Sequence, residues 1–236
     1  MTRPARLAVV TGTGTEVGKT WVGAAVLAAG RRRGLRVAAR KPLQSYSPGE
    51  HPLDSEVLAA ASGEPEELVC PQGWRYAAPM APPMAAAALG RPVPSLEALA
   101  AFVEGSWPGR GCDLALVEGA GGVASPLGAD ASNADLVQRL APDAVVLVAD
   151  ASLGVINAVR LSVAALGPRR VIVHLNRYQP ADDLHRRNLA WLSEVDRLDV
   201  TTDVEQLLGR VVGCAADRPP RRPAARRPAA AHRPGY

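Results

Sequence analysis

Leu7-Ala-Val-Val-Thr-Gly-Thr-Gly-Thr-Glu-Val-Gly-Lys-Thr20 is the stretch that decides the fold. Leu7–Thr11 is apolar and β-branched and reads as a buried strand. A glycine-rich turn follows. Gly18–Arg33 then carries a helical pattern that Gly34 stops. Strand, glycine-rich loop and helix in this order make a concave array of backbone N–H groups at a helix start, suited to anionic oxygens. Lys19 adds an ammonium for β- and γ-phosphates, and the Thr20 hydroxyl adds a ligand for Mg²⁺. Five residues, not the common four, separate Gly12 from Gly18. The plainer alternative is a glycine turn that happens to carry Lys-Thr. Glu16 is unusual here, because a carboxylate repels phosphates; it either orients the loop or meets a ribose or substrate ammonium.

Working outward, apolar β-branched runs alternate with helical patterns. Strands are expected at Arg36–Arg40, Leu114–Val117, Ala144–Ala149 and Val171–Leu175. Helices are expected at Asp54–Ala61, Ser95–Glu104 with Ser95 as N-cap, Asn133–Leu140, Gly154–Leu166 and Asp183–Val195. Residues 43–53 read as loop, and 71–94 as irregular around a short helix near Met84–Leu89. Leu198–Leu208 reads as a weak strand and a short helix. This alternation predicts an α/β, P-loop NTPase-like fold: a mostly parallel central sheet with helices on both faces. Ligands of such sheets sit beyond the carboxyl ends of the strands.

The chain has 236 residues, 47% hydrophobic and 21% charged, which fits one globular domain over 1–217. No apolar run reaches membrane-spanning length, and the apolar run after Met1 is too short for a signal peptide. Cys70, Cys112 and Cys214 form neither a disulfide framework nor a zinc pattern, so a reducing cytoplasm is expected. The net charge of +4 comes from the end of the chain. Six arginines and no acid follow Asp217, and residues 1–217 hold 21 basic against 23 acidic residues. Residues 218–236, rich in Pro, Ala and Arg, are expected to be a disordered solvated extension. No membrane or nucleic-acid partner is expected.

Arginine supplies 25 of the 27 basic residues, and the two lysines are Lys19 and Lys41. Lysine persists where a compact ammonium matters. Lys41 follows the second strand in Lys41-Pro-Leu-Gln-Ser45, and that strand is expected near the first. The alternative is a solvated lysine at a strand end. Leu114–Val117 runs into Glu118-Gly-Ala-Gly-Gly122, the setting of a Walker B carboxylate, with glycines that let the backbone approach a ligand. Asp54 and Glu118 with Thr20 can complete a Mg²⁺ site, since that ion takes one or two carboxylates plus phosphates and waters. Asp54 alone also reads as a helix N-cap.

Together these residues resemble dethiobiotin synthetases, the ATP-dependent carboxylases of biotin synthesis. The matching pieces are Val10–Thr20, Lys41-Pro-Leu-Gln-Ser45, Asp54, Val117-Glu-Gly-Ala-Gly-Gly122, Leu153-Gly-Val-Ile-Asn157 and Asn176, in order over roughly residues 5–210. The resemblance implies a reaction in which CO₂ adds to one amine of 7,8-diaminononanoate. The carbamate then attacks the γ-phosphorus of ATP, and the second amine closes a cyclic urea. It implies catalytic roles for Lys19, Lys41 and Thr15. It implies nucleotide contacts at Glu16, Val17, Gly18, Lys19, Thr20, Trp21, Asp54, Glu118, Gly119, Ala120, Gly121, Asn176 and Arg177. Substrate contacts are implied at Thr15, Lys41, Ser45, Leu153, Gly154 and Asn157, and Mg²⁺ ligands at Thr20, Asp54 and Glu118. Leu153–Asn157 would act from a neighbouring subunit, which implies a homodimer.

Asn176 otherwise reads as an Asn satisfying a turn. Trp21, Trp74, Trp107 and Trp191 otherwise read as core packing. The family's final strand and Gly-Glu-x-Pro-like loop are not evident; Leu198–Asp203 or Val211–Ala216 stands in their place. The competing reading is a switch ATPase of the MinD/ParA type, but the extra lysine of that loop is missing, with Thr13 and Gly14 in its region. Corrin-ring amidases also need a glutaminase domain for which this chain is too short.

Overall fold

The computed structural model describes residues 3–109 and 111–213. The expected disorder of 218–236 lies outside the described residues. Strand β1 (Arg6–Gly12) leads into helix α1 (Lys19–Arg32), and Gly34 follows at φ 78°. Strand β2 (Val37–Arg40) is followed by β3 (Gln44–Ser45), α2 (Asp54–Ser62) and the single turn α3 (Glu66–Val69). A 3₁₀ turn at Gln72–Trp74 precedes β4 (Arg75–Tyr76), then α4 (Pro82–Ala88) and α5 (Leu96–Gly105). Strand β5 (Leu114–Glu118), α6 (Asn133–Leu140), β6 (Ala144–Asp150), α7 (Val155–Leu166), β7 (Val171–Asn176) and α8 (Asp183–Ala190) follow. A π-helical turn at Trp191–Val195, β8 (Asp199–Thr201) and α9 (Val204–Val212) close the described chain.

Six strands form one parallel sheet in the order β2-β5-β1-β6-β7-β8. The period-2 alternation of β1 shows why both faces need cover. Leu7 and Val9 pack with α5, α6 and α7, while Ala8 and Val10 pack with α1, α2 and α9.

Several expectations are corrected here. The second strand lies near the first, as expected, but β5 stands between them. The segments read as loop or irregular hold a small parallel sheet of β3 and β4, which pairs Gln44 with Arg75. Helix α3 carries no usable periodicity in its four residues. Strand β8 takes the final-strand place within Leu198–Asp203, whereas Val211 and Val212 belong to α9 and residues 214–216 lie outside the described residues. Trp107 is buried and Trp74 packs edge-on against Phe102, but Trp21 and Trp191 are 61% and 44% exposed and are not core.

The free edge at β2 is closed by side chains. Glu64 accepts the Ala39 N–H (2.8 Å) and the Arg40 guanidinium (3.0 Å), and Arg40 stacks over Trp107 (4.8 Å) and reaches the Ser106 hydroxyl (2.6 Å). A fully buried arginine tolerates such a site only when its donors are met. The clasp fixes the end of β2 one residue before Lys41.

On β7, buried His174 lies beside Thr201 of β8. Burial lowers its pKa from the ordinary 6.5 to about 4, with Asp203 opposing weakly. The unfolded chain therefore binds the extra proton first. The stability from neutral His174 is complete above about pH 6.5 and is lost as pH falls through 4. Denaturant titrations should show a loss of up to about 3 kcal/mol across that window, absent in His174→Gln. A pH-independent difference between the two proteins would contradict the assignment.

Candidate active site

The carboxyl ends of β1, β2 and β5 open into one cavity of about 920 Å³. Thr15, Glu16, Gly18, Lys19, Thr20, Lys41, Ser45, Asp54, Ala120, Gly121 and Arg177, all expected from the sequence, line it. The phosphate loop is preformed. Gly18 is in the left-handed region at φ 91°, and a Cβ there would fall 2.1 Å from the Asn176 amide nitrogen. Only glycine fits both conditions. Lys19 reaches back across the loop to donate to the Gly14 carbonyl (2.9 Å). Its burial lowers its pKa, and Glu118 opposes that fall.

Lys41 is buried and does not extend into bulk solvent. Its Nζ donates to Asp54 Oδ2 (2.5 Å) and Glu118 Oε1 (2.6 Å), and Thr20 Oγ1 donates to the same Glu118 oxygen (2.8 Å). Burial alone would lower the Lys41 pKa, but the two carboxylates hold it above its ordinary value. Burial raises Asp54, and Lys41 more than reverses this, so Asp54 lies below the usual carboxylate range. Burial pushes Glu118 upward, with Lys41 opposing. Asp54 is the first residue of α2 and not its cap: Glu56 instead accepts the Leu53 N–H (2.5 Å).

Thr20, Asp54 and Glu118 fit a magnesium ion. They converge as two carboxylates and one hydroxyl, and Glu118 Oε2 is buried with no hydrogen-bond partner among the described residues. Too few protein oxygens converge for an all-protein cage. Such a set matches an ion that completes its shell with phosphate and water.

The glycine loop after β5 is fixed by Asn133, at the start of α6. Its amide donates to the carbonyls of Ala120 (2.6 Å) and Gly122 (2.7 Å). A Cβ on Gly119 would lie 2.1 Å from Asn133 Oδ1. Gly119→Ala should therefore destabilise the protein by about 1–3 kcal/mol through overpacking. Chemical denaturation measures this, and an unchanged midpoint would contradict the contact.

Of the other expected residues, Val17, Trp21, Asn176, Leu153, Gly154 and Asn157 lie apart from the cavity lining, while Arg177 stands on it. Val17 accepts from the Asn176 amide through its carbonyl (2.9 Å), so Asn176 ties β7 to the phosphate loop. Arg177 pairs with Asp150 (2.7 Å) and donates to the Glu16 carbonyl (3.0 Å). Trp21 projects from α1 into solvent. Leu153 is 84% exposed, and Gly154 starts α7 at φ 94°. Asn157 lies in a separate shallow depression with Thr13, Gly14, Thr15 and Ser125. Within one chain, Leu153–Asn157 does not reach the main cavity. Sequence reasoning missed Gln44, Tyr46, Ser47, Glu50, Pro79–Pro82 and Ser125 as lining. Gln44 sits inside the quoted Lys-Pro-Leu-Gln-Ser run and was findable. Pro79–Pro82 carries no motif, because α4 and the small sheet bring it to the cavity from afar.

The fold and this site define a P-loop nucleotide-binding α/β protein. A family model described as an AAA domain matches residues 6–211. ATP-dependent dethiobiotin synthetase BioD of Anaeromyxobacter dehalogenans (strain 2CP-C) is 43% identical over 180 residues, covering 74% of this chain and 78% of its own. The Caulobacter vibrioides (strain NA1000 / CB15N) enzyme of the same name is 41% identical over 169 residues, covering 66% of this chain and 76% of its own. A crystal structure of a DUF1611 family protein from Anabaena variabilis shares the fold at 18% identity and a TM-score of 0.53, over 90% of this chain and 58% of that one. The chain belongs to the ATP-dependent dethiobiotin synthetase family.

Proposed function

We propose that the chain joins CO₂ and 7,8-diaminononanoate at this cavity, with ATP as cosubstrate, to give dethiobiotin, ADP and phosphate. The contact of Lys41 with both Asp54 and Glu118, at the mouth of the phosphate loop, carries the reading. The substrate supplies both amines, so the protein needs no nucleophile; it positions groups and stabilises charge. One amine attacks CO₂ and loses a proton, giving a carbamate. A carbamate oxygen attacks the γ-phosphorus, and ADP leaves. The second amine attacks the carbamate carbon, the carbon–oxygen bond to phosphate breaks, and the cyclic urea closes.

Lys19 holds the β- and γ-phosphate oxygens on the loop amides. Lys41 lies where carbamate and γ-phosphate meet and offsets the repulsion between two anions. Thr15 and Ser45 offer short hydroxyls to carbamate or amine. Thr20, Asp54 and Glu118 would hold Mg²⁺, which supplies charge neutralisation on the phosphates when bound. Asn176 and Arg177 stand on the base side. The exposed Leu153, Gly154 and Asn157 serve the substrate carboxylate of a neighbouring copy, in a homodimer. The free, buried thiols of Cys70 and Cys112 support a reducing, cytoplasmic setting.

Incubation with Mg-ATP, bicarbonate and the diamine should give a cyclic urea, detected by mass, in step with phosphate. Phosphate release that ignores the diamine and yields no urea would overturn the reading and favour a switch ATPase.

A further inference from the structure

We infer that Gln44 is a positioning residue, whose amide clamps the start of α2 and thereby presents the Asp54 carboxylate to the phosphate site. The inference rests on the proposed reading of Asp54 as a magnesium ligand. Asp54 enters its helix from an exposed loop, with Pro48 to Pro52 all on the surface. Leu53 is buried and Glu56 accepts its N–H (2.5 Å), which anchors the helix start from within α2 itself.

Gln44 anchors the same start from a different segment. It is 2% exposed and Ser55 is fully buried. Gln44 Oε1 accepts the Ser55 backbone N–H (3.1 Å), and Gln44 Nε2 donates to Ser55 Oγ (2.7 Å). A backbone N–H can only donate, so this contact sets which way the amide faces. The Ser55 N–H lies in the first turn of α2, where no intrahelical acceptor exists, and Gln44 supplies one from outside. Ser55 Oγ in turn donates to Glu66 Oε1 (2.5 Å), which also pairs with Arg75 (2.8 Å). The chain of bonds thus runs from the small β3–β4 sheet into the residue directly after Asp54. Lys41 lies three residues before Gln44, so one clamp registers both partners of the 2.5 Å Lys41–Asp54 contact. Such groups behind metal ligands set ligand geometry and affinity.

The test uses the full chain and four proteins: wild type, Gln44→Met, Asp54→Asn and the double variant. Calorimetry measures ADP affinity with and without Mg²⁺, and turnover is titrated with Mg²⁺. Gln44→Met keeps the volume and removes both bonds. It should raise the half-saturating Mg²⁺ concentration about tenfold and leave metal-free ADP affinity within about twofold. Added to Asp54→Asn, it should change neither quantity further, because the two act as one unit. An unmoved Mg²⁺ dependence, equal loss of ADP affinity with and without the ion, or effects that multiply would overturn the inference. Should Gln44→Met fail to fold, Ser55→Ala keeps the N–H contact and removes the hydroxyl. It should shift Mg²⁺ dependence the same way by about threefold, and no shift would count against the clamp. The ADP arm needs no diamine, so a chain that makes no cyclic urea would sink the proposed function while the clamp is still decided.

Discussion

Replacing Lys41 with glutamine should lower turnover about a thousandfold while Mg-nucleotide still binds within a few-fold of wild type. The reason lies in what surrounds the ammonium. Lys41 contributes no backbone amide to the phosphate cradle, which the Gly12–Thr20 loop builds alone, so affinity for the nucleotide survives its loss. Its contacts with Asp54 and Glu118 show a cation held ready among carboxylates, with a pKa above its ordinary value. It stays charged through the working pH range. The charge matters when carbamate and γ-phosphate approach, which is a feature of the transition state and not of the bound nucleotide. Steady-state kinetics with calorimetric ADP binding checks this. Unchanged turnover would remove Lys41 from the chemistry, and loss of nucleotide affinity would recast it as part of the cradle.

Glu118→Gln should also cost about a thousandfold in turnover, but by another route. One oxygen of Glu118 accepts from both Lys41 and Thr20, while the other is buried without a partner among the described residues. The amide fills the same space, and its oxygen still accepts from Thr20, so the fold should hold. The lost charge leaves Lys41 paired only with Asp54, whose side chain is 47% exposed, and takes a charged ligand from the magnesium set. Nucleotide affinity should then lose its dependence on Mg²⁺, in contrast to Lys41→Gln. Titrating ADP binding with Mg²⁺ separates the two variants. Retained metal dependence would contradict the ligand role of Glu118.

Much of this site was legible because its chemistry is local. The loop Gly12–Thr20 must be followed by a helix for its amides to converge, and α1 starts at Lys19. Glu118 ends an apolar strand, and β5 runs to that residue. The two lysines stood out because arginine fills every other Lys/Arg position. What escaped was set by long-range pairing. Strand order depends on which hydrophobic faces meet, so β5 between β1 and β2 could not be read from chain order. The two-residue strands β3 and β4 are too short for any periodicity, yet they carry Gln44 to Ser55 and a wall to the cavity. Asp54 reads equally well as a cap or a ligand, and only the Lys41 contact separates the two. Trp21 failed as a core residue because helix periodicity shows which positions share a face, not whether that face is covered.

The proposed reaction turns on a carbamate oxygen beside Lys41 attacking the γ-phosphorus that Lys19 holds. Oxygen-18 carried in the CO₂ follows that oxygen. During the first turnovers with labelled bicarbonate, the released phosphate should carry one heavy oxygen and the urea carbonyl another. Heavy oxygen in the urea with none in the phosphate would contradict the account.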